Sequence, residues 1–354
     1  MTGLGGRIGR LSLGYGLATA GGAACFSLGT PLPWMIGALL TIATARMLDL
    51  PVATSRWLRN MGLVVIGAAL GLNGTPEVMA HVAGVMPVII AAAIGSIVIG
   101  ILLSRILARL GRVDPVTALF ASFPGGVAEM AMMGEAYGGK PTPIALAQML
   151  RVVVVVVAMP LALAAAGAQG HIQPLSARLP FEPLGFALLM VSGALVAMAM
   201  VRVGIRMGWV IGPIAVSLAF TLPGYPPSGV PNYLIAAAQV AAGATLGMGF
   251  ERETMRRMRR FIPAALTHVV ILVSCCAALG LSLAWLTGLP PAVMVLSTSP
   301  GGMPEMTLTA KALLLDVPLV TTFHLVRVYI VALTAPLIFK ALRRRLERAP
   351  QPAE

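Results

Sequence analysis

The chain has 354 residues, of which 58% are hydrophobic and only 10% charged, and its net charge is +13. Soluble domains carry about 25% charged residues, and a chain this apolar lacks the polar surface that water-facing folds need, which excludes a soluble fold and makes lipid the fitting solvent. The apolar runs are continuous rather than alternating, so they read as helices and not as barrel strands.

In chain order, spans are predicted near 11–29, 33–48, 59–73, 82–104 and 142–168, then near 183–201, 209–222, 231–249, 261–287 and 317–340. Each has about the length that crosses a hydrocarbon core of roughly 30 Å. The first run follows Arg7 and Arg10, as a signal peptide would, but it has no clear cleavage site and an internal counterpart, so it reads as a span. Two further pieces, 114–135 and 290–312, are interrupted by Pro-Gly-Gly.

The sequence matches itself at a shift of 176 residues. Gly67, Leu70 and Gly71 fall on Gly243, Leu246 and Gly247, and Pro87 on Pro263. Pro124, Gly125, Gly126, Glu129 and Met130 fall on Pro300, Gly301, Gly302, Glu305 and Met306. Arg151 falls on Arg327 and Pro160 on Pro336. The expected organisation is a first membrane repeat over 9–167, a polar linker over 168–182, a second repeat over 183–343 and a tail over 344–354.

Charge then orients the repeats. If the two interrupted pieces enter and leave on one face, each repeat has five spans and the repeats are inverted. Of the 25 Lys and Arg residues, all but Arg151, Arg178, Lys311 and Arg327 then share the side of both termini. If the pieces cross fully, the cluster Arg256–Arg260 moves to the far face. The positive-inside rule favours the first arrangement. The fold class expected is therefore all-α transmembrane: about ten spanning helices plus two re-entrant broken helices, in two inverted-topology repeats. The expected location is a bacterial inner membrane, multi-pass, with both termini cytoplasmic.

The interrupted pieces carry the candidate chemistry. Pro and Gly-Gly break a helix and free backbone groups, which hydrocarbon tolerates only where they are buried in protein or line a wet cavity. The half-helix after a break presents a positive dipole end. Paired breaks in matching places of two repeats point to a midplane binding site. The expected solute or ion contacts are Pro124, Gly125, Gly126, Glu129 and Arg151 in the first repeat, and Pro300, Gly301, Gly302, Glu305, His324 and Arg327 in the second. Glu129 with Arg151, and Glu305 with Arg327, are the expected acid–base pairs, since intramembrane charge takes a partner. His324 lies one turn before Arg327, and Gln148 holds its place in the first repeat.

No metal or cofactor is expected. His81, His171, His268 and His324 show no ligand spacing, and Cys25, Cys275 and Cys276 no Cys-x-x-Cys pair. No nucleophile triad, Walker loop or dinucleotide fingerprint occurs, so no catalytic residue is assigned. The basic charge sits in short loops without interleaved aromatics, which argues against direct nucleic-acid binding. The expected partners are the lipid bilayer and a small solute. Gly62, Gly67 and Gly71 offer a face for close helix contact within the chain or in a homo-oligomer.

The duplicated Pro-Gly-Gly-x-x-Glu-Met unit, with its later Arg-Val, resembles the AbrB-duplication family of bacterial membrane proteins. Members are often labelled AbrB family transcriptional regulator or ammonia monooxygenase. The resemblance implies a multi-pass inner-membrane protein linked to regulation of gene expression. The residues themselves favour a secondary transporter of a small polar or anionic solute. The alternatives are a membrane regulator or sensor acting indirectly on gene expression, and a metal-dependent membrane oxidoreductase.

Overall fold

The computed structural model describes residues 4–170, 179–205 and 207–347. Residues 171–178 of the expected linker, with His171, and residues 348–354 of the tail lie outside them. Among the described residues the protein is all helical. Its helices are α1 (Leu4–Ser27), α2 (Pro33–Met47), α3 (Arg56–Gly71), α4 (Pro76–Gly84), α5 (Met86–Gly111), α6 (Pro115–Ser122), α7 (Val127–Ala136) and α8 (Pro141–Ala165). They continue as α9 (Pro183–Arg202), α10 (Gly208–Thr221), α11 (Asn232–Gly247), α12 (Arg252–Arg257), α13 (Phe261–Thr287), α14 (Pro291–Thr298), α15 (Met303–Ala312) and α16 (Val317–Glu347).

Each predicted span falls on a helix, and each interrupted piece falls on a pair of short ones, α6 with α7 and α14 with α15. Helices α4 and α12 occupy stretches the apolar pattern leaves as loops. Among the described residues five helices are long and apolar enough to cross a membrane: α5, α8, α9, α13 and the Val317–Ala335 part of α16. A sixth is reached if α3 and α4, bent by 88° at their break, count as one. Helices α2, α10 and α11 have 15, 14 and 16 residues. At 1.5 Å per residue they reach only about 21–24 Å.

The chain folds into two compact units, and each draws on both halves of the sequence. The first comprises Met1–Ala83, Pro160–Arg252 and Thr307–Pro318. In it α2 packs on α1 and α11, and α3 on α10 and α11. Small residues set these approaches. A Cβ at Gly67 would meet the Val210 carbonyl, one at Gly71 the Ile214 carbonyl, and one at Gly62 the Ala238 backbone. The glycine face of α3 is thus used inside the chain, as expected where helices associate by van der Waals packing.

The second unit comprises Gly84–Met159, Glu253–Met306 and Leu319–Glu354. Helix α5 packs on α13 and α6, and α13 packs on α14. Asp114 caps α6 by accepting from the Thr117 N–H at 2.7 Å, with Pro115 in the first helical position. The Thr117 hydroxyl donates to the other Asp114 oxygen and accepts from the Lys140 N–H at 2.7 Å. This pins the start of the first broken element to the chain that returns from it.

Candidate functional site

Both broken elements lie in the second unit as far as Met306, and they are built alike. Helix α6 stops at Ser122 because Pro124 disfavours helical backbone before it; Phe123 is extended at φ −64°, ψ 137°. Ser299 before Pro300 is extended in the same way, at φ −52°, ψ 135°. Helix α7 then starts with Gly126 as its N-cap, the Gly126 carbonyl accepting from Met130 at 2.9 Å. In the second element the Gly302 carbonyl accepts from Met306 at 3.1 Å.

This register gives every motif position a physical reason. Glu129 and Glu305 are the third helical residues, where a carboxylate complements the positive helix end. Both fold back onto the capping glycine: a Cβ at Gly126 would stand 3.1 Å from a Glu129 carboxylate oxygen, and one at Gly302 would collide with Glu305. The methionine after each glutamate is buried, and its side chain lies where a Cβ on the first glycine, Gly125 or Gly301, would go. Pro124 and Pro300 are buried at the breaks, and Glu129 and Glu305 are partly exposed.

The arginines do not take the glutamates as partners, which corrects the expected acid–base pairs. Arg151 donates to the Phe123 carbonyl at 2.7 Å and the Gly125 carbonyl at 2.8 Å. Arg327 donates to the Ser299 carbonyl and, at 2.7 Å, to the Gly301 carbonyl. These carbonyls are the ones the break sets free. A guanidinium fork satisfies two at once and complements the negative end of the half-helix before the break. Both arginines are buried, at 2% and 3% exposure.

The residue one turn earlier completes the clamp. Gln148 donates through its Nε2 to the Phe120 and Phe123 carbonyls, each at 2.8 Å. His324 places its Nε2 3.2 Å from the Leu296 carbonyl, the counterpart of Phe120. After these bonds several fully buried atoms have no hydrogen-bond partner among the described residues. They are Nε of Arg151 and Arg327, Oε1 of Gln148, Nδ1 of His324, and Oγ of Ser297 and Ser299.

Both breaks contact α13. The Ser122 hydroxyl, at the end of α6, is 3.0 Å from Nε2 of His268. The Thr298 hydroxyl, at the end of α14, donates to the Cys276 carbonyl at 2.8 Å. His268 and Cys276 are eight residues apart on one helix, which separates them by about 12 Å along its axis. The expected residues Pro124, Gly125, Gly126, Glu129 and Arg151 lie at the first break, and Pro300, Gly301, Gly302, Glu305, His324 and Arg327 at the second. Sequence reading missed Ser122, Thr298, His268, Ser297 and Ser299. The 176-residue shift aligns the polar pair Ser122 and Thr298 and could have flagged it. Glu135 and Lys140 are exposed, and His81 stands on the surface of α4.

A family model described as "Transition state regulatory protein AbrB" matches residues 34–343, which include both breaks and both arginines. The chain is similar to "Putative regulator AbrB" of Escherichia coli (strain K12), with 25% identity over 282 residues, 77% of this chain and 79% of that one. It is also similar to "Uncharacterized protein YhjN" of Bacillus subtilis (strain 168), with 23% identity over 357 residues, 92% and 91% of the two chains.

Proposed function

The chain belongs to the AbrB family, and on that premise we propose that it is a secondary transporter of a small anionic solute in the bacterial inner membrane. The single observation behind this reading is the pair of arginine-clamped helix breaks that both contact α13. Two guanidiniums are buried there with their Nε donors unpartnered. Buried cations of this kind call for an anion. Beside each stands an unpartnered acceptor, Gln148 Oε1 or His324 Nδ1. A solute with an anionic group and an N–H or O–H donor matches both. Glu129 and Glu305 cover the two half-helix starts, so a solute anion approaching those amides competes with a carboxylate. Protonating the glutamate relieves that competition and couples proton to solute.

In this proposal the breaks are re-entrant, the repeats are inverted, ten helices span the bilayer and both termini are cytoplasmic. The charge asymmetry of the loops supports it. The short helices α2, α10 and α11 then cross where they are packed among neighbours. A reporter fused within 251–260 is expected to read cytoplasmic, and a periplasmic reading removes the inverted topology. For transport, purified protein in liposomes is expected to take up at least one member of a panel of small carboxylates, phosphate and sulfate. Glu129→Gln and Glu305→Gln are each expected to abolish that uptake.

A second reading is a membrane regulator or sensor, supported by the name of the Escherichia coli relative. It predicts a change in gene expression on deletion that survives both glutamine substitutions. The transporter reading predicts a change in metabolite pools that those substitutions reproduce.

A further inference from the structure

We infer that the two repeats are obligate partners that exchange their third helices, and that a chain severed between them stays together as a stable pair. Within each repeat the first two helices pair alike. A Cβ at Gly37 of α2 would collide with the Gly21 backbone of α1, and one at Gly212 of α10 with the Ala197 backbone of α9, where Ala197 holds the place of Gly21. The third helix crosses over. Helix α3 packs on α9, α10 and α11, all of the second repeat, and α11 packs on α1, α2 and α3, all of the first.

The crossing contacts come in matched pairs. A Cβ at Gly67 would meet the Val210 carbonyl, and one at Gly243, its counterpart, would meet the carbonyl of Met35, the counterpart of Val210. One turn on, Gly71 approaches the Ile214 carbonyl in the same way, and Gly247 approaches that of Leu39. At Gly62 the pattern closes on itself, because the Ala238 backbone it faces lies 176 residues on and is its own counterpart. Such reciprocity is the mark of an isologous interface, in which one patch meets its own equivalent across a two-fold axis. The second unit repeats the arrangement. Helix α5 packs on its counterpart α13. Gly95 lies against Leu279 and Gly111 against Phe261, so the two helices run antiparallel and the repeats face opposite ways. Ile99 and Cys275, again counterparts, pack on one cluster of Leu103, Leu272 and Cys276. Phe339 of α16 adds a crossing contact to the first break, its ring centroid 4.2 Å from that of Tyr137. Helices in lipid associate through close packing of this kind, so a repeat without its partner leaves the packing face of α3 or α11 bare. The linker supplies proximity, and the crossed helices supply the binding.

The test uses the full-length protein with a protease site in place of residues 171–178, purified in detergent and cut to completion. The two fragments are expected to elute as one particle of the uncut mass. Cutting turns folding into an association of two chains, so the Tm of the cut protein should rise with its concentration while that of the uncut protein stays constant. In a background carrying Cys25→Ala, Cys275→Ala and Cys276→Ala, the pair Gly62→Cys/Ala238→Cys should join the cut fragments through a disulfide on mild oxidation. Gly95→Cys/Leu279→Cys should do the same in the second unit, which keeps the test decisive if one pair fails to fold. Fragments that elute apart overturn the inference. So does a cut protein whose Tm is independent of concentration, or co-eluting fragments that neither pair joins. None of these outcomes bears on transport.

Discussion

The two broken elements share a backbone clamp and differ in what surrounds it. In both, an arginine 26 and 28 residues downstream forks onto two carbonyls of the break. In both, a glutamate covers the capping glycine and a methionine fills the space beside the other glycine. Around this shared frame the first element has Ala121, Phe123 and Gln148 where the second has Ser297, Ser299 and His324. The shared part therefore holds the break open, and the differing part sets its chemistry. The second element is the more polar of the two, which on the transporter reading makes it the better candidate for direct solute contact.

The largest expected effect tests the shared frame. Arg327→Ala strands the Ser299 and Gly301 carbonyls, and Arg151→Ala strands that of Gly125 while Gln148 still donates to that of Phe123, each stranded carbonyl costing about 1–3 kcal/mol. Arg327→Ala should lower the unfolding free energy in detergent by roughly 2–5 kcal/mol and Arg151→Ala by about 1–3 kcal/mol, and Lys should rescue only part of either loss because it cannot fork. A loss confined to one arginine would break the symmetry claimed here. Next come the glutamates. Glu129→Gln and Glu305→Gln should abolish uptake while costing only about 0.3–1 kcal/mol in thermal unfolding, the usual value of a charge at a helix end.

The glycines sharpen the comparison. A methyl at Gly302 displaces the Glu305 carboxylate, whereas one at Gly126 only presses on Glu129 at 3.1 Å. Gly302→Ala should therefore reproduce the uptake defect of Glu305→Gln, and Gly126→Ala should retain partial uptake. The differing parts predict smaller changes. Ser299→Ala should raise the KM for the solute several-fold with kcat nearly intact, and Phe123→Leu in the matching place should not. The smallest effect is expected outside both elements. The Arg252–Asp49 pair is exposed on both sides, so Arg252→Ala should leave Tm unchanged within error, as exposed ion pairs contribute little.

The helices and the breaks were legible in the sequence because apolar length and Pro-Gly-Gly are local signals. The partner of each arginine was not. A sequence displays Glu129 as a charge but does not display the carbonyls of Phe123 and Gly125, which become acceptors only once the helix is broken. The bond between Ser122 and His268 joins residues 146 apart, and the place of His268 in the first repeat is held by Ala92, so the repeat gives no hint of it. The compact units escaped for a related reason. They gather matching parts of both repeats, while a self-match reveals only which segments are alike.

The central claim is that the two breaks form one transport site for a small anion. Its most direct test is uptake by liposomes containing the purified protein, challenged with the anion panel and compared with the two single glutamine variants. The account predicts saturable uptake of at least one anion by the unaltered protein and none by either Glu129→Gln or Glu305→Gln. Uptake that survives in one variant would show that a single break suffices, and its absence from the unaltered protein across the panel would contradict the transporter reading.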